Sequence, residues 1–480
     1  MDTFANFIAG EWRTSDQTSR NINPSDLDDV IGEYAVASPA DANDAISAAS
    51  AAADAWRHAT PQQRFDALDF IASEILARKE ELGDLLAREE GKTRPEGIGE
   101  AGRAGQIFKF FAGEALRGGG DVLPSVRPGV KVEITREPVG VVGAITPWNF
   151  PIAIPAWKIA PALAYGNCVV FKPAGLVPGS AWALSEIISR SGLPNGVFNL
   201  VMGSGGVVGE ALLKSDKVNA VTFTGSVETG AHVLAATSAR GAKAQLEMGG
   251  KNPLIVLDDA DLDIAVDCAV QGAFYSTGQR CTASSRIIVT EGIADRFVEA
   301  LAKATQALTV GDARDGSTQI GPLADASQLA KTEEYVALGQ EEGAKLIAGG
   351  APVAIEGRKG FFYAPALLDH ATSAMRVARE EIFGPVATVQ RVADYEAALA
   401  AANDTEFGLS AGICTQSLAK AEHFKANAQA GMVMVNLPTA GVDYHVPFGG
   451  RKASSFGPRE QGSYAREFYT TVKTAYQRSA

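Results

Sequence analysis

The spacing of apolar positions changes several times along the chain. Residues 7–37 carry short apolar runs, such as Phe7-Ile8-Ala9-Gly10-Glu11-Trp12, broken by turn residues such as Asn23-Pro24-Ser25. They read as short strands. An Ala-rich amphipathic pattern then predicts a helix over 41–58 with Asp41 as its N-cap. Helices follow over 61–78, with Pro61 marking the start, over 79–92, and over 96–116, where Gly118-Gly119-Gly120 stops the last. Val130–Glu137 alternates apolar and charged residues, as a half-exposed strand does. Phe468–Tyr476 reads as its C-terminal counterpart. From residue 139 the apolar runs Val139–Ile145, Cys168–Phe171, Val197–Val201 and Ala220–Phe223 alternate with helical patterns at Ala156–Ala164, Ser180–Ser191, Val207–Ser215 and Val227–Thr237. Short apolar strands joined by helical crossovers imply a parallel sheet covered on both faces. A second alternating block runs from 254 to about 440, so the fold class is α/β.

At 480 residues the chain exceeds what one core normally fills, and more than one domain is expected. Its net charge of −13 disfavours nucleic acid or an anionic membrane as a partner. The four cysteines, Cys168, Cys268, Cys281 and Cys414, lie far apart with no CxxC pair, which argues for a reducing, cytoplasmic setting and against a disulfide framework or zinc cluster. The scattered histidines have no metal-ligand spacing. The residues at the N-terminus lack the basic and apolar regions of a signal peptide. From Pro138 to Trp157 no residue is charged, but four prolines interrupt the run, which predicts a buried strand, a turn and a helix start rather than a membrane span.

Candidate chemistry centres on Gly278-Gln279-Arg280-Cys281, ahead of small hydroxyl residues and the apolar Ile287-Ile288-Val289. Taken alone, Cys281 reads as a core cysteine. Its company changes that reading. Glu247 stands on the glycine-rich turn Glu247-Met248-Gly249-Gly250, and Asn149 lies between two prolines in Thr146-Pro147-Trp148-Asn149-Phe150-Pro151. A thiol, a carboxylate and an amide donor are what aldehyde oxidation through a thioester requires. Gly203–Gly209 has the spacing GxGxxxG rather than GxGxxG and reads as a tight strand-to-helix turn. Phe223-Thr224-Gly225-Ser226 ends a strand and opens a helix, where free N–H groups suit a diphosphate.

These motifs, with FKPA at 171–174, EEIFGP at 380–385 and PFGG at 447–450, stand in the order and spacing of the aldehyde dehydrogenase superfamily. The chain is identified as a member by that resemblance, which covers nearly its whole length. It implies a Rossmann-like cofactor domain (1–118 and 139–248), an α/β catalytic domain (249–449) and a small β oligomerisation arm (119–138 and 463–480) that builds a homodimer or homotetramer. It implies Cys281 as nucleophile, Asn149 with the Cys281 N–H as oxyanion donors, and Glu247 as the base that activates water, which disfavours acyl transfer to CoA. For the cofactor it implies Lys172, Gly225, Ser226, Glu381, Phe383 and Trp148. Gly175 stands where the family usually has a glutamate for the adenosine ribose, which predicts use of both NAD and NADP with a modest lean to NADP. Phe150, Ile154, Trp157, Arg280, Tyr444, His445 and Phe448 are expected around the substrate. The segments 274–277 and 436–447 are most similar to 2,5-dioxopentanoate (α-ketoglutaric semialdehyde) dehydrogenases. The helix after Asn149 carries no arginine for a substrate carboxylate, which keeps an aromatic or aliphatic aldehyde as the alternative.

Overall fold

The computed structural model describes residues 3–478; positions 1–2 and 479–480, at the outer limits of the expected cofactor domain and arm, lie outside the described residues. The architecture is α/β. An eight-stranded sheet runs in the order Ser455–Phe456, Lys243–Glu247, Ala220–Thr224, Val141–Ile145, Cys168–Lys172, Phe198–Leu200, Asn6–Ile8, Glu11–Arg13. Its five middle strands are parallel, and the pairs at either edge are antiparallel. The middle strands are almost wholly buried, so their apolar runs need no polar face. The helices Pro39–Arg57, Ala153–Ala164, Pro178–Ser189 and Val227–Ala239 pack against them. Phe108, Phe111 and Phe171 are fully enclosed in the resulting core, where truncation of one to alanine costs about 3–5 kcal/mol.

A second, seven-stranded sheet takes the order Lys345–Ala348, Ala366–Asp369, Val386–Val392, Arg286–Thr290, Pro253–Val256, Ser410–Cys414, Met432–Val435. It is parallel except at the Lys345–Ala348 edge. Asp121–Pro124, Val130–Pro138 and Thr470–Arg478 form a separate antiparallel sheet that leaves Val122, Leu123, Val126, Val472 and Tyr476 exposed. A fourth sheet joins Thr3–Phe4, Val30–Ala35 and Thr18–Ile22. No helix among the described residues is long and apolar enough to cross a membrane. The uncharged stretch 138–157 resolves into the strand Val141–Ile145, a turn and the start of a helix, as its prolines predict.

The differences from the sequence reading are local. Ser38, not Asp41, caps the first long helix: its hydroxyl accepts from the Asp41 N–H at 3.2 Å while the Asp41 carboxylate accepts from the Ser38 N–H at 2.8 Å. The run 7–12 is a hairpin, turned at Ala9 and Gly10, both at positive φ. The helix expected from Ala156 begins at Ala153, because a proline in the first turn, here Pro155, removes no helical hydrogen bond. Val207–Ser215 splits into a π-helical turn, Gly205–Gly209, and the short helix Glu210–Lys214. The C-terminal strand starts at Thr470, after a helical turn at Arg466–Tyr469.

Candidate active site

Parallel pairing brings the functional strand ends into one row. Glu247 lies opposite Thr224, Phe223 opposite Ile145, and Ile145 opposite Lys172. Motifs scattered between Ile145 and Glu247 therefore meet at the carboxyl edge of one sheet, where open α/β sheets bind ligands.

Cys281 comes from the second sheet, on the loop between the helix Leu262–Phe274 and the strand Arg286–Thr290. Three successive residues before it, Ser276, Thr277 and Gly278, adopt left-handed backbone at φ 52°, 55° and 65°. Such conformations cost about 1–3 kcal/mol for each non-glycine residue and persist only where neighbours enforce them. Here the enforcement is explicit. The Ser276 N–H donates to Glu96 Oε1 at 2.7 Å and Thr277 Oγ1 to the Gly321 carbonyl at 3.1 Å. Gln279 Oε1 accepts from the Ala324 N–H at 3.0 Å, and Asn252 Nδ2 donates to the Cys281 and Ala283 carbonyls at 2.8 and 3.0 Å. At Gly278 a Cβ would lie 2.2 Å from the Gly384 carbonyl oxygen, so only glycine fits.

The other three cysteines are buried, whereas Cys281 is partly accessible. Burial of the sulfur, then the charges of Glu381 and Glu247, push the Cys281 thiol up to about 12. The Cys281 backbone N–H opposes that shift by hydrogen bonding to the sulfur. Burial thus favours the protonated thiol. Asn149 is buried and donates through Nδ2 to the Gln279 carbonyl at 2.9 Å, which ties the amide to the cysteine loop and leaves its second N–H to give.

Glu247 ends its strand and is almost wholly enclosed. Burial, reinforced by the charge of Glu460, holds its carboxyl well above the usual carboxylate range. It accepts a hydrogen bond from Ser455 Oγ, and Glu460 in turn pairs with Lys158 and Thr222.

Two chambers meet at the thiol. One, of about 390 Å³, is walled by Phe150, Ile154, Trp157, Phe448, Arg103 and Arg280, with the Trp157 and Phe448 rings stacked at 5.2 Å. The other, of about 180 Å³, is walled by Trp148, Asn149, Gly225, Ser226, Glu381 and Phe383. Cys281 and Ile154 line both. Trp148 meets Phe383 edge-on at 5.3 Å, and Phe383 sits at φ 65°, a strained backbone for a bulky residue. The Glu381 carboxylate accepts from the Gly250 N–H at 2.9 Å and is raised in pKa by burial.

The comparisons with known proteins agree with this geometry. The profile of the aldehyde dehydrogenase family matches residues 12–475. This chain belongs to the aldehyde dehydrogenase family. Its activity is accordingly the NAD(P)-dependent oxidation of an aldehyde. It is similar to the alpha-ketoglutaric semialdehyde dehydrogenase of Bacillus subtilis strain 168, 45% identical over 99% of this chain and 98% of that one. It is similar to the 2,5-dioxopentanoate dehydrogenase of Saccharolobus solfataricus, 39% identical over 98% of each chain. Its fold superimposes on the crystal structure of Staphylococcus aureus betaine aldehyde dehydrogenase in complex with NAD+, with a TM-score of 0.96, 34% identity and coverage of 99% and 95% of the two chains.

The smaller chamber is bounded in part by glycines and a helix N-terminus. A Cβ on Gly249 would lie 2.1 Å from the Glu381 carboxylate and one on Gly225 2.5 Å from the Phe223 ring, so both glycines keep it open. The helix Val227–Ala239, capped by Ser226 through the Thr229 N–H at 3.3 Å, points its N-terminus there. Lys172 stands at the end of its strand, its ammonium lowered to about 8 by burial. Gly175 is exposed, with open space where a Cβ would project.

Tyr444 and His445 differ from the sequence reading, and the structure adds detail on four other residues. Lys172 and Gly175 lie outside the wall of the smaller chamber, farther along the sheet edge. Tyr444 and His445 are absent from the cavity wall, because their loop turns Pro438, Ala440, Gly441 and Val442 inward instead. Tyr444 packs on the first core and against the His445 ring at 5.3 Å, and His445 is exposed. Arg280 does line the cavity, but its Nη2 is held by Glu96 at 3.0 Å and by Ser276 Oγ at 2.8 Å. Glu247 lines neither chamber while Ser455 holds it.

Sequence reasoning passed over Lys92 and Glu100, which contact the Asn149 segment, and Arg103, which lines the larger cavity. Lys92 Nζ donates to the Asn149 carbonyl at 2.6 Å and to Glu100 Oε2 at 2.5 Å. Glu100 Oε1 accepts from the Ile152 and Ala153 N–H groups at 2.9 and 3.0 Å, capping the helix that follows Asn149. A signal existed: Glu100 falls among Gly97, Ala101, Ala104 and Phe108 on the buried face of its helix, where a charge demands a partner.

Proposed function

We propose that the enzyme oxidises an acidic semialdehyde, 2,5-dioxopentanoate to 2-oxoglutarate, with either NADP or NAD. The observation that carries this reading is Arg103, which lines the cavity that ends at Cys281 and forms no ion pair among the described residues, whereas Arg280, Glu96 and Glu100 in the same wall are all paired. A neutral aliphatic or aromatic aldehyde has no use for an unpaired cation there, and the relatives named for semialdehydes match over nearly the full chain.

Cys281, once deprotonated, attacks the aldehyde carbon. The free N–H of Asn149 and the Cys281 N–H donate to the resulting oxyanion, a contribution of about 3–4 kcal/mol per donor. When bound, the nicotinamide dinucleotide supplies the two-electron acceptor of the oxidation. Glu247 then leaves Ser455, takes a proton from water, and so directs hydroxide onto the thioester. That carboxylate makes a free acid, not an acyl-CoA, the product. Trp148, Phe383, Glu381, Gly225 and Ser226 would hold the nicotinamide and diphosphate ends, with Lys172 beside the adenosine. With glycine at 175 no carboxylate opposes a 2′-phosphate, and Lys172 offers a cation to it, hence the lean to NADP.

The antiparallel sheet of 121–138 and 470–478, with its exposed apolar side chains, is the surface on which two or four copies would associate. A reducing compartment, the cytoplasm, keeps Cys281 a free thiol. The test is a steady-state screen of the purified enzyme on 2,5-dioxopentanoate, pentanal and benzaldehyde with each cofactor. The proposal expects kcat/KM at least tenfold higher for the acidic substrate. Equal or better turnover of the neutral aldehydes would overturn it.

A further inference from the structure

We infer that Arg103 is the residue that recognises the carboxylate at the far end of the substrate. The inference rests on the acidic-semialdehyde reading and names the group that enforces it. Glu96, Glu100 and Arg103 lie three or four residues apart on one helix and line the same cavity wall, so one helix face presents all three. The charges around that wall pair off with one exception. Glu96 is taken by Arg280 at 3.0 Å and Glu100 by Lys92 at 2.5 Å. Arg103 forms no ion pair among the described residues. Its one hydrogen bond there runs from Nη2 to Gln461 Oε1 at 3.1 Å, while Nε is enclosed and meets no acceptor.

The guanidinium is nonetheless held in place. It lies over the Trp157 ring at 5.8 Å from the centroid, and its Gln461 partner is fully buried with a left-handed backbone at φ 60°. A planar fork fixed by an aromatic face and one amide, with donors to spare, suits a carboxylate better than a neutral chain end. The position also fits the chemistry. Arg103 and Cys281 line the same cavity, whose wall also holds the Phe150, Trp157 and Phe448 rings; burial lowers the Arg103 pKa, opposed by the charges of Glu100 and Asp443. A semialdehyde with its aldehyde at Cys281 and its carboxylate at Arg103 fills that space. Arg280 is the competing candidate, but its guanidinium is already compensated by Glu96.

The test compares wild type, Arg103→Leu and Arg103→Lys on 2,5-dioxopentanoate and on pentanal, a neutral aldehyde of the same carbon number. The expected result is a fall of about 10- to 100-fold in the ratio of kcat/KM for the acid over pentanal in Arg103→Leu, seen mainly in KM, with part of it recovered in Arg103→Lys. A ratio within threefold of wild type in Arg103→Leu overturns the role of Arg103 while leaving the substrate reading intact. A wild-type enzyme with no preference for the acid overturns the substrate reading first, and this inference with it. If Arg103→Leu does not fold, Arg103→Lys decides alone, because it keeps the charge and loses the fork: an unchanged ratio and KM would refute carboxylate recognition by the guanidinium.

Discussion

The two chambers that share Cys281 are built by different means. Beside the side chains of Trp148, Glu381 and Phe383, the smaller one is framed by main chain: the end of a parallel strand, the turn Thr224-Gly225-Ser226, Gly249, and a helix N-terminus. The larger one is framed by bulky side chains from three separate elements: Phe150 and Trp157 around the start of one helix, Arg103 on another, and Phe448 on a loop. A wall of backbone is set by where glycine is required, and those positions leave short motifs. A wall of side chains is set by volume and charge, which many residue combinations satisfy. The frame of the smaller chamber is therefore a property of the fold, and the wall of the larger one leaves room for one family member to differ from another.

The largest break removes what the chambers have in common. Cys281→Ala should abolish dehydrogenase turnover, a loss on the order of 10^4-fold or more. Nicotinamide dinucleotide binding should survive, because the small chamber keeps all its other walls. Calorimetric titration of the variant checks this. Retained turnover would place the nucleophile elsewhere.

Glu247→Gln separates the two halves of the reaction. The amide keeps the volume and a hydrogen bond to Ser455 but cannot take a proton from water. Rapid mixing should show a burst of reduced cofactor of at most one equivalent per site, then steady turnover slower by about 10^2- to 10^4-fold. An unaltered steady-state rate would remove Glu247 from thioester hydrolysis.

How much of this was legible beforehand follows the same division. That Cys281, Glu247 and Asn149 stand at turns was readable because each sits in a motif whose glycines or prolines shape one. The row of Glu247, Thr224, Ile145 and Lys172 was foreshadowed by strand–helix alternation, which forces a parallel sheet and gathers its carboxyl ends. The role of Lys92 was not legible, because its partners Glu100 and the Asn149 carbonyl lie 8 and 57 residues away and only packing joins them. Tyr444 and His445 were misplaced for a related reason: an irregular loop has no period from which to read the inward face. Ser38 displaced Asp41 as the first helix cap because a capping box needs both residues and only one of them can be the N-cap.

Lys92→Met tests whether a residue on the substrate side governs the oxyanion donor. It leaves Glu100 buried beside a missing charge, a cost of about 3–5 kcal/mol in stability. It also frees the Asn149 carbonyl, and a displacement of the amide by about 1 Å can cost about 10^2-fold in rate. Both a lower Tm and a kcat loss exceeding that of Cys281-distant core variants of equal Tm are expected. A Tm loss with kcat intact would make Lys92 purely structural.

The thiol itself offers a finer probe. Burial and the neighbouring carboxylates hold Cys281 at about 12, so only the protonated form is abundant near neutrality. Because the thiolate is the reactive form, alkylation of the cofactor-free enzyme by iodoacetamide should accelerate about tenfold per pH unit between pH 7 and 9 with no plateau. A plateau below pH 8 would show a thiol far more acidic than its surroundings imply.

The smallest effect sharpens the contrast at the edge of the cofactor side. Gly175 is exposed and a Cβ there would meet nothing within 4 Å, so Gly175→Glu should leave the backbone undisturbed. Any change in cofactor preference then comes from the carboxylate and not from repacking. Lys172 lies three residues earlier, at a strand end, with its ammonium lowered to about 8 by burial, so it is still largely charged at pH 7. A glutamate nearby would compete for that charge and repel a 2′-phosphate, while offering an acceptor to a ribose hydroxyl. One hydrogen bond is worth roughly 0.5–1.5 kcal/mol net, so NAD should gain at most about tenfold in KM. NADP should lose more, because it loses attraction and gains repulsion together. The variant is therefore expected to shift the NADP-to-NAD ratio of kcat/KM toward NAD by about 10- to 100-fold, mainly through a higher KM for NADP. If the parent enzyme shows no rate on saturating NADP, Gly175 does not open the 2′ site, and the contribution of Lys172 to phosphate recognition falls with it.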